Sequence, residues 1–343
     1  MEEKNAEIIQ NAIDGSLSVI DQDREKQIVA RRFGLSGRKE TLEEIGEGLS
    51  ITRERVRQLE KAIIIRLQIA AEDGLIPSIN QAEKLIIRNL TEMGRIARIP
   101  DLAKKLFGRE GTPEENARLY FIATFAQSLA VVEENGMFFL SIGIAEYGNS
   151  RDYRARADEI VRTIKVHRKP MALEELDEKL NYEHPSHIAA IASISRQLSS
   201  LNGSWGLVSW PVVNPRNIRD KIYVVLKTHG QWMHFEDIAK AIADSDFNHK
   251  EVTTQAIHNE LIKDPRFILI GRGCYALSEW GYKKGTVYEV ITDILKEAGT
   301  PLDRKDIVKQ VLKVRRVKET TVLLNLQDKK HFKRIGKTHY DLI

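Results

Sequence analysis

The chain has 343 residues, of which 42% are hydrophobic and 30% charged, so it can bury more than one folded core, and it contains no apolar run approaching the length of a membrane span. Its 53 basic and 49 acidic side chains leave a formal charge of only +4, which excludes a basic coat for nucleic acid. One cysteine, Cys274, excludes an intrachain disulfide and a cysteine-based zinc site, and the acidic start Met1-Glu2-Glu3 is unlike a signal peptide, so the expected location is the cytoplasm.

Residues 1–14 read as a short amphipathic helix with Ile8, Ile9 and Ile13 on one side. The stretch that follows, Thr41 to Lys61, has the grammar of a helix-turn-helix. Thr41 with Glu44 three residues on is a capping box, and Leu42, Ile45 and Leu49 fall on one face. Gly46 lies between them, where a second helix can approach closely. Gly48-Leu49-Ser50 supplies the turn, with Ser50 as the expected cap of the next helix. In that helix Val56, Leu59 and Ile63 recur at helical spacing and face inward. Thr52, Arg53, Glu54, Arg55, Arg57, Gln58 and Lys61 are left at its start and on its outer side. The side-chain chemistry suits base reading, since Arg pairs bidentately with guanine, Gln with adenine, and Glu accepts from cytosine. Taken alone, such a run is also what a solvated helix face looks like.

The flanking residues change that balance. Arg32-Phe33-Gly34-Leu35, then Thr41-Leu42-Glu43-Glu44-Ile45-Gly46, then Thr52-Arg53-Glu54-Arg55-Val56-Arg57-Gln58-Leu59-Glu60 occur in an order and spacing that closely resemble region 4 of the sigma-70 family of bacterial initiation factors. The resemblance implies that the helix from Thr52 reads the minus-35 promoter element, and that Arg53, Glu54, Arg55, Arg57 and Gln58 supply base and phosphate contacts. By the same resemblance the helix around Glu25 to Phe33 corresponds to the part that docks on the flap of the polymerase β subunit. Double-stranded promoter-like DNA and the RNA polymerase core are the implied partners, in a bacterial cytosol. The resemblance spans about an eighth of the chain, and no stretch resembles the aromatic-rich region that melts the minus-10 element. Ile63-Ile64-Ile65 stands where the family carries alanine and basic residues, and is expected to pack on the next module.

Beyond a closure at Asp73-Gly74 and Pro77, a plan of three helices and a hairpin recurs every 65–70 residues. The modules are expected at 78–145, 150–211, 214–282 and 285–343, behind a helix-turn-helix module at 15–75. In the first, helices are predicted at Gln81–Met93, Pro100–Phe107 and after Thr112-Pro113. A hairpin follows, from Ala130–Val132 through Glu133-Glu134-Asn135-Gly136 to Met137–Leu140. In the second, helices are predicted at Arg154–His167, Ala172–Leu180 and Pro185–Ser200. Its end, Trp205 to Trp210, matches Tyr275 to Trp280 seventy residues later, and Tyr340-Asp341-Leu342 follows at another 65. The expected fold class is therefore mainly α: one helix-turn-helix and about four winged-helix modules in series. Phe235 to Ala239, Asn259-Glu260-Leu261, Asp264 to Phe267 and Tyr275 to Trp280 resemble a HARE-HTH domain, a winged-helix family found in the RNA polymerase delta subunit, chromatin proteins and some restriction enzymes. The aromatics at these recurring positions read as core.

The last module is basic. From Lys283 to Ile343 there are 15 Lys and Arg against 8 Asp and Glu, a net +7, leaving −3 for the remainder. Arg315, Arg316, Lys318, Lys333, Arg334 and Lys337, together with Thr41 in the first module, are candidate phosphate contacts that would add salt-dependent affinity without base reading. Catalysis finds no support. His184 and His187 straddle Pro185 without a third ligand, and neither a glycine-rich phosphate loop nor a nucleophile elbow is present, so no enzyme, cofactor or metal is expected. The leading expectation is sequence-directed DNA binding at promoters together with RNA polymerase. The alternatives are a delta-like polymerase accessory subunit that does not read DNA, and the recognition subunit of a restriction or defence system. Oligomeric state is not legible.

Overall fold

The computed structural model describes residues 2–182, 184–245, 247 and 252–343, in two compact units covering 1–209 and 210–343. Five helices open the first unit: α1 (Glu2–Ser18), α2 (Asp23–Phe33), α3 (Leu42–Leu49), α4 (Arg53–Glu72) and α5 (Pro77–Glu92). Next come β1 (Ile96–Arg98), α6 (Ile99–Phe107), α7 (Pro113–Phe125), β2 (Leu129–Val132) and β3 (Ser141–Ile144). The unit closes with α8 (Ser150–His167), β4 (Met171–Ala172), α9 (Leu173–Leu180), α10 (Pro185–Ser193), β5 (Leu198–Leu201) and β6 (Ser204–Leu207).

In the second unit α11 (Ile218–His229), β7 (Met233–His234), α12 (Phe235–Ala243), α13 (Thr254–Lys263), β8 (Phe267–Gly271) and β9 (Cys274–Leu277) come first. They are followed by α14 (Val287–Ala298), β10 (Leu302–Asp303), α15 (Arg304–Val314), α16 (Glu319–Leu326), β11 (Phe332–Ile335) and β12 (His339–Leu342). The protein is mainly helical with small antiparallel sheets. No described helix is long and apolar enough to cross a membrane.

Four times the described chain runs helix, short strand, helix, helix, then two strands. The sheet order is the same each time, with the short strand beside the last: β1-β3-β2, β4-β6-β5, β7-β9-β8 and β10-β12-β11. The short strand was not legible in the sequence because two or three residues carry no alternation to read. It pins the second helix of each repeat to the hairpin, as where Met233 and His234 pair with Tyr275 and Cys274.

The expected boundary at 75–78 is a turn but not a break in the core. Ile9, Ile63, Leu67, Ile86, Leu102, Phe121 and Ile142 belong to one cluster, so α1 and the second half of α4 pack with α5–α7. Within it Phe33 meets Phe121 with ring centroids 5.0 Å apart, and Phe121 meets Phe125 at 5.1 Å, both edge to face. Such pairs add about 0.5–1.5 kcal/mol to the area they bury. Ile63 and Ile64 join this core as expected of a packed patch, whereas Ile65 is 45% exposed.

The hairpin of this module is displaced from the expected register. Val132 pairs with Ser141, so the second strand starts after Leu140 rather than at Met137. The cause is local: Asn135 Oδ1 accepts from the backbone N–H of Met137 at 2.7 Å and of Phe138 at 2.9 Å, folding the Asn-Gly stretch on itself. The freed residues pair with the next module, where Phe139 N–H donates to Ile194 O at 2.9 Å and Arg196 N–H to Met137 O at 2.8 Å. In that module the third helix stops at Ser193 rather than Ser200, because residues 198–201 are needed as β5.

Candidate nucleic-acid interface

A small core builds the site. Ile28, Ile45 and Val56, one from each of α2, α3 and α4, are fully buried together, with Leu42, Leu49, Ile51 and Leu59 around them. Thr41 caps α3: its hydroxyl accepts from Glu44 N–H at 3.2 Å while the Glu44 carboxylate accepts from Thr41 N–H at 2.7 Å. That backbone hydrogen bond, with Arg38 beside it at 2.7 Å, pulls the Glu44 carboxyl down to about 2. The Thr41 hydroxyl, a candidate phosphate contact, is therefore occupied as a cap acceptor on an exposed residue.

The corner after α3 is tight because Gly46 has no side chain. A Cβ there would lie 2.7 Å from the carbonyl oxygen of Ile51. Ser50 is not the cap of α4. It takes the left-handed conformation at φ 53°, closing α3 through its N–H to Glu47 O. The cap is Thr52, whose hydroxyl accepts from Arg55 N–H at 3.2 Å.

From that cap α4 presents Arg53, Glu54, Arg55, Arg57, Gln58 and Lys61, all exposed, while Val56 and Ile63 are fully buried. The outer face is tied within itself. Arg57 donates both Nε and Nη2 to the two Glu54 oxygens at 2.8 and 2.7 Å, Gln58 Nε2 reaches Glu54 at 3.4 Å, and Arg53 lies 3.7 Å from Glu43. The Arg57 fork holds the Glu54 carboxyl below its ordinary range, and Glu54 in turn raises Arg57. These are surface pairs and hold the tips weakly.

A second set of ion pairs clamps the frame rather than facing outward. Arg31 chelates Glu40 at 2.6–3.0 Å, Arg32 reaches Glu60 at 3.2 Å, and Arg66 reaches the buried Glu25 at 2.6 Å. On α2, Ile28, Val29 and Phe33 turn inward and Phe33 is covered by Tyr120 and Phe121, so Asp23, Arg24 and Gln27 are the exposed residues of that helix.

The C-terminal basic residues divide into two groups. Arg315 and Arg316 contact a neighbouring hairpin, Arg315 as a buried side chain and Arg316 as an exposed one. Arg315 is 9% exposed and its guanidinium donates to Leu269 O. Arg316 donates its backbone N–H to Ile270 O at 2.9 Å and lays its guanidinium 3.4 Å over the Trp232 ring, beside Cys274 Sγ at 3.4 Å. Gly271 admits this approach, since a Cβ there would meet Arg316 O at 2.6 Å. The carbonyls that Leu269 and Ile270 present from β8 are what the sequence could not show.

Lys318, Lys333, Arg334 and Lys337 remain exposed. Lys333 sits 3.6 Å from Asp341, and Arg334 Nε donates to Lys337 O at 3.0 Å across the β11–β12 turn. Phe267 and Tyr275 are buried, and Trp205, Trp210 and Trp280 are part-buried, which keeps these aromatics in or against the cores. His184 and His187 have ring centroids 6.0 Å apart, and His184 Nδ1 is engaged by Ser186 at the start of α10.

Comparisons with known proteins converge on the same segment. Residues 22–68 match the family model described as sigma-70, region 4. The chain is 51% identical over 55 residues to the RNA polymerase sigma factor RpoD of Helicobacter pylori, covering 15% of this chain and 8% of that protein. It is 41% identical over 56 residues to the sigma factor SigA4 of Synechococcus elongatus, covering 16% and 18%. With SigA of Lactococcus lactis subsp. cremoris the identity is 47% over 47 residues, 13% of either chain. The chain thus spans less than a fifth of each of these relatives, and what it shares with them is a sigma-70 region 4 domain built from α2, α3 and most of α4.

Proposed function

We propose that the protein is a sequence-directed DNA-binding factor that lays the first turns of α4 in a major groove and works with RNA polymerase at promoters. The observation that carries this reading is the capped, glycine-tightened corner that leaves Arg53, Glu54, Arg55, Arg57, Gln58 and Lys61 together on one exposed helix, within residues matching a promoter-reading domain. A helix so presented reaches base edges with its N-terminal side chains. The weak surface pairing of Glu54 with Arg57 and Gln58 is readily exchanged for a base edge or a phosphate. Lys318, Lys333 and Lys337 add phosphate contacts from the last module. The protein has no catalytic step of its own in this reading.

The four repeats of helix, strand, helix, helix and hairpin fit a winged-helix plan, the third of them HARE-like. A second reading, a polymerase accessory subunit that acts through protein contact, is favoured by the use of Arg315 and Arg316 to seal two repeats together rather than to meet phosphate. Selection of bound sequences from random duplex DNA, with and without RNA polymerase core, separates the two. Enrichment of a motif that Arg57→Ala abolishes supports the first. Polymerase capture with no enriched motif supports the second.

A further inference from the structure

Beyond the residues assigned to DNA, α4 turns a second surface to solvent. Lys61, Ile65, Ile69 and Glu72 follow one another at helical spacing, so they fall on one line about three turns long, and all four are exposed. Ile65 is 45% and Ile69 52% exposed, whereas Ile63 and Leu67 on the far side of the helix are fully buried. Ala62 lies beside the line, also exposed, and adds little bulk to it. Among the described residues of the first unit, the strongly exposed large apolar side chains are Ile65, Ile69, Leu75, Met137 and Val166. Three of these five fall within residues 65–75. Apolar residues scattered singly on a surface need no explanation, but a group of them marks a contact.

The line ends in opposite charges. Lys61 meets no carboxylate among the described residues. Glu72 accepts from the neutral Gln127 amide, and Asp73 follows it in sequence. Arg66, which would otherwise crowd the middle, is turned aside to Glu25 at 2.6 Å. The face therefore reads basic, apolar, apolar, acidic, a pattern that complements itself when reversed. In an antiparallel pair of α4 helices crossing at the level of Leu67, Ile65 of one copy meets Ile69 of the other. Lys61 then stands at the height of the second copy's Glu72 and on the same side of the seam, and the contact occurs twice by symmetry. The two helix dipoles also run in opposite senses. A parallel pair would set like charges together.

We propose that two copies of this chain pair through this face, α4 against α4 and antiparallel. A duplex does not suit it, since phosphates would meet Glu72 and Asp73 as like charges and leave Ile65 and Ile69 uncovered. A wholly apolar partner would leave Lys61 and Glu72 without a counter-charge. The seam is short, roughly 17 Å of helix, and covers less than the ~1,200 Å² at which standard protein interfaces begin. The pair is therefore reversible, with a dissociation constant of about 1 μM or higher. Lys61 also belongs to the surface assigned to DNA, so competition between a duplex and a second copy rests on that reading. The pairing does not, and it is measured without DNA.

The test is sedimentation equilibrium of the full chain from well below 1 μM to about 200 μM. Monomer is expected at the low end and a rising fraction of dimer at the high end. Ile69→Asp raises the dissociation constant by about tenfold or more. Because a carboxylate there can also loosen the helix, Ile69→Ser is the companion variant, expected to weaken pairing in the same direction, with circular dichroism following the fold of both. Lys61→Glu sets two carboxylates together and weakens pairing by about threefold or more, and adding Glu72→Lys to it restores the original constant. A chain that stays monomeric at about 200 μM overturns the proposal. Dimers that survive both Ile69 variants, or a double reversal that restores nothing, overturn it as well. Protection of Ile65 and Ile69 from hydroxyl-radical oxidation that appears only when RNA polymerase core is added to the monomer assigns the face to polymerase instead.

Discussion

Arg53 to Lys61 and Lys313 to Lys318 are both short basic stretches beside a helix start, and the fold treats them in opposite ways. In the first, Arg57 and Arg53 meet carboxylates on their own helix or the one before it, Glu54 and Glu43, Arg55 meets the Gln58 amide, and all stay exposed. In the second, a neighbouring hairpin offers the carbonyls of Leu269 and Ile270, with the face of Trp232 beside it; Arg315 is buried against it and Arg316 lies on it while staying exposed. What a run of arginines does is thus decided by the acceptors the rest of the chain brings to it. A surface ion pair is easily exchanged for a phosphate or a base edge. The buried Arg315 guanidinium, which donates to Leu269 O, is not, because leaving a buried polar group unpaired is costly.

Five substitutions test this contrast. Ile28→Ala removes a third of the small core beneath α3 and α4 and is expected to cost about 2–5 kcal/mol locally. It should abolish DNA reading while the thermal transition of residues 210–343 stays in place, as followed by calorimetry. Arg57→Ala is expected to cost about 1–3 kcal/mol of discrimination against a wrong base, read by fluorescence anisotropy on matched and mismatched duplexes. Arg315→Ala provides the mirror image: about 1–3 kcal/mol lost from the stability of the second unit, with DNA affinity and its salt slope unchanged. Glu54→Gln unties Arg57, so binding to non-matching duplex should tighten slightly and the preference for matched DNA should fall, by less than Arg57→Ala lowers it. Lys333→Ala should act least, reducing the slope of log affinity against log salt by about 1 for all duplexes alike. A loss of sequence preference with Lys333→Ala, or a changed salt slope with Arg315→Ala, would break the contrast.

The parts of the fold that were legible are those set within a turn or two of chain. Thr41 with Glu44, and the inward spacing of Val56 and Ile63, depend on neighbours three and four residues away and stand as read. Ser50 was misread as a cap because a serine before a helix usually is one. Here the corner needed a left-handed residue, and the next threonine took the cap. The strand expected at Met137 was displaced by one side chain, Asn135, acting over two residues. The shared core of α1, α4 and α5–α7 and the burial of Arg315 were out of reach for a different reason: each depends on partners dozens of residues away.

At 20 residues α4 is a rod of roughly 30 Å. Its first turns carry the exposed arginines, and its later turns are sunk, through Ile63 and Leu67, among the apolar side chains of α5–α7. A duplex gripping one end therefore fixes the bearing of everything bolted to the other. Hydroxyl-radical cleavage should then show protection continuing to one side only of the bound motif, at a constant helical phase, because a stiff arm has a single heading.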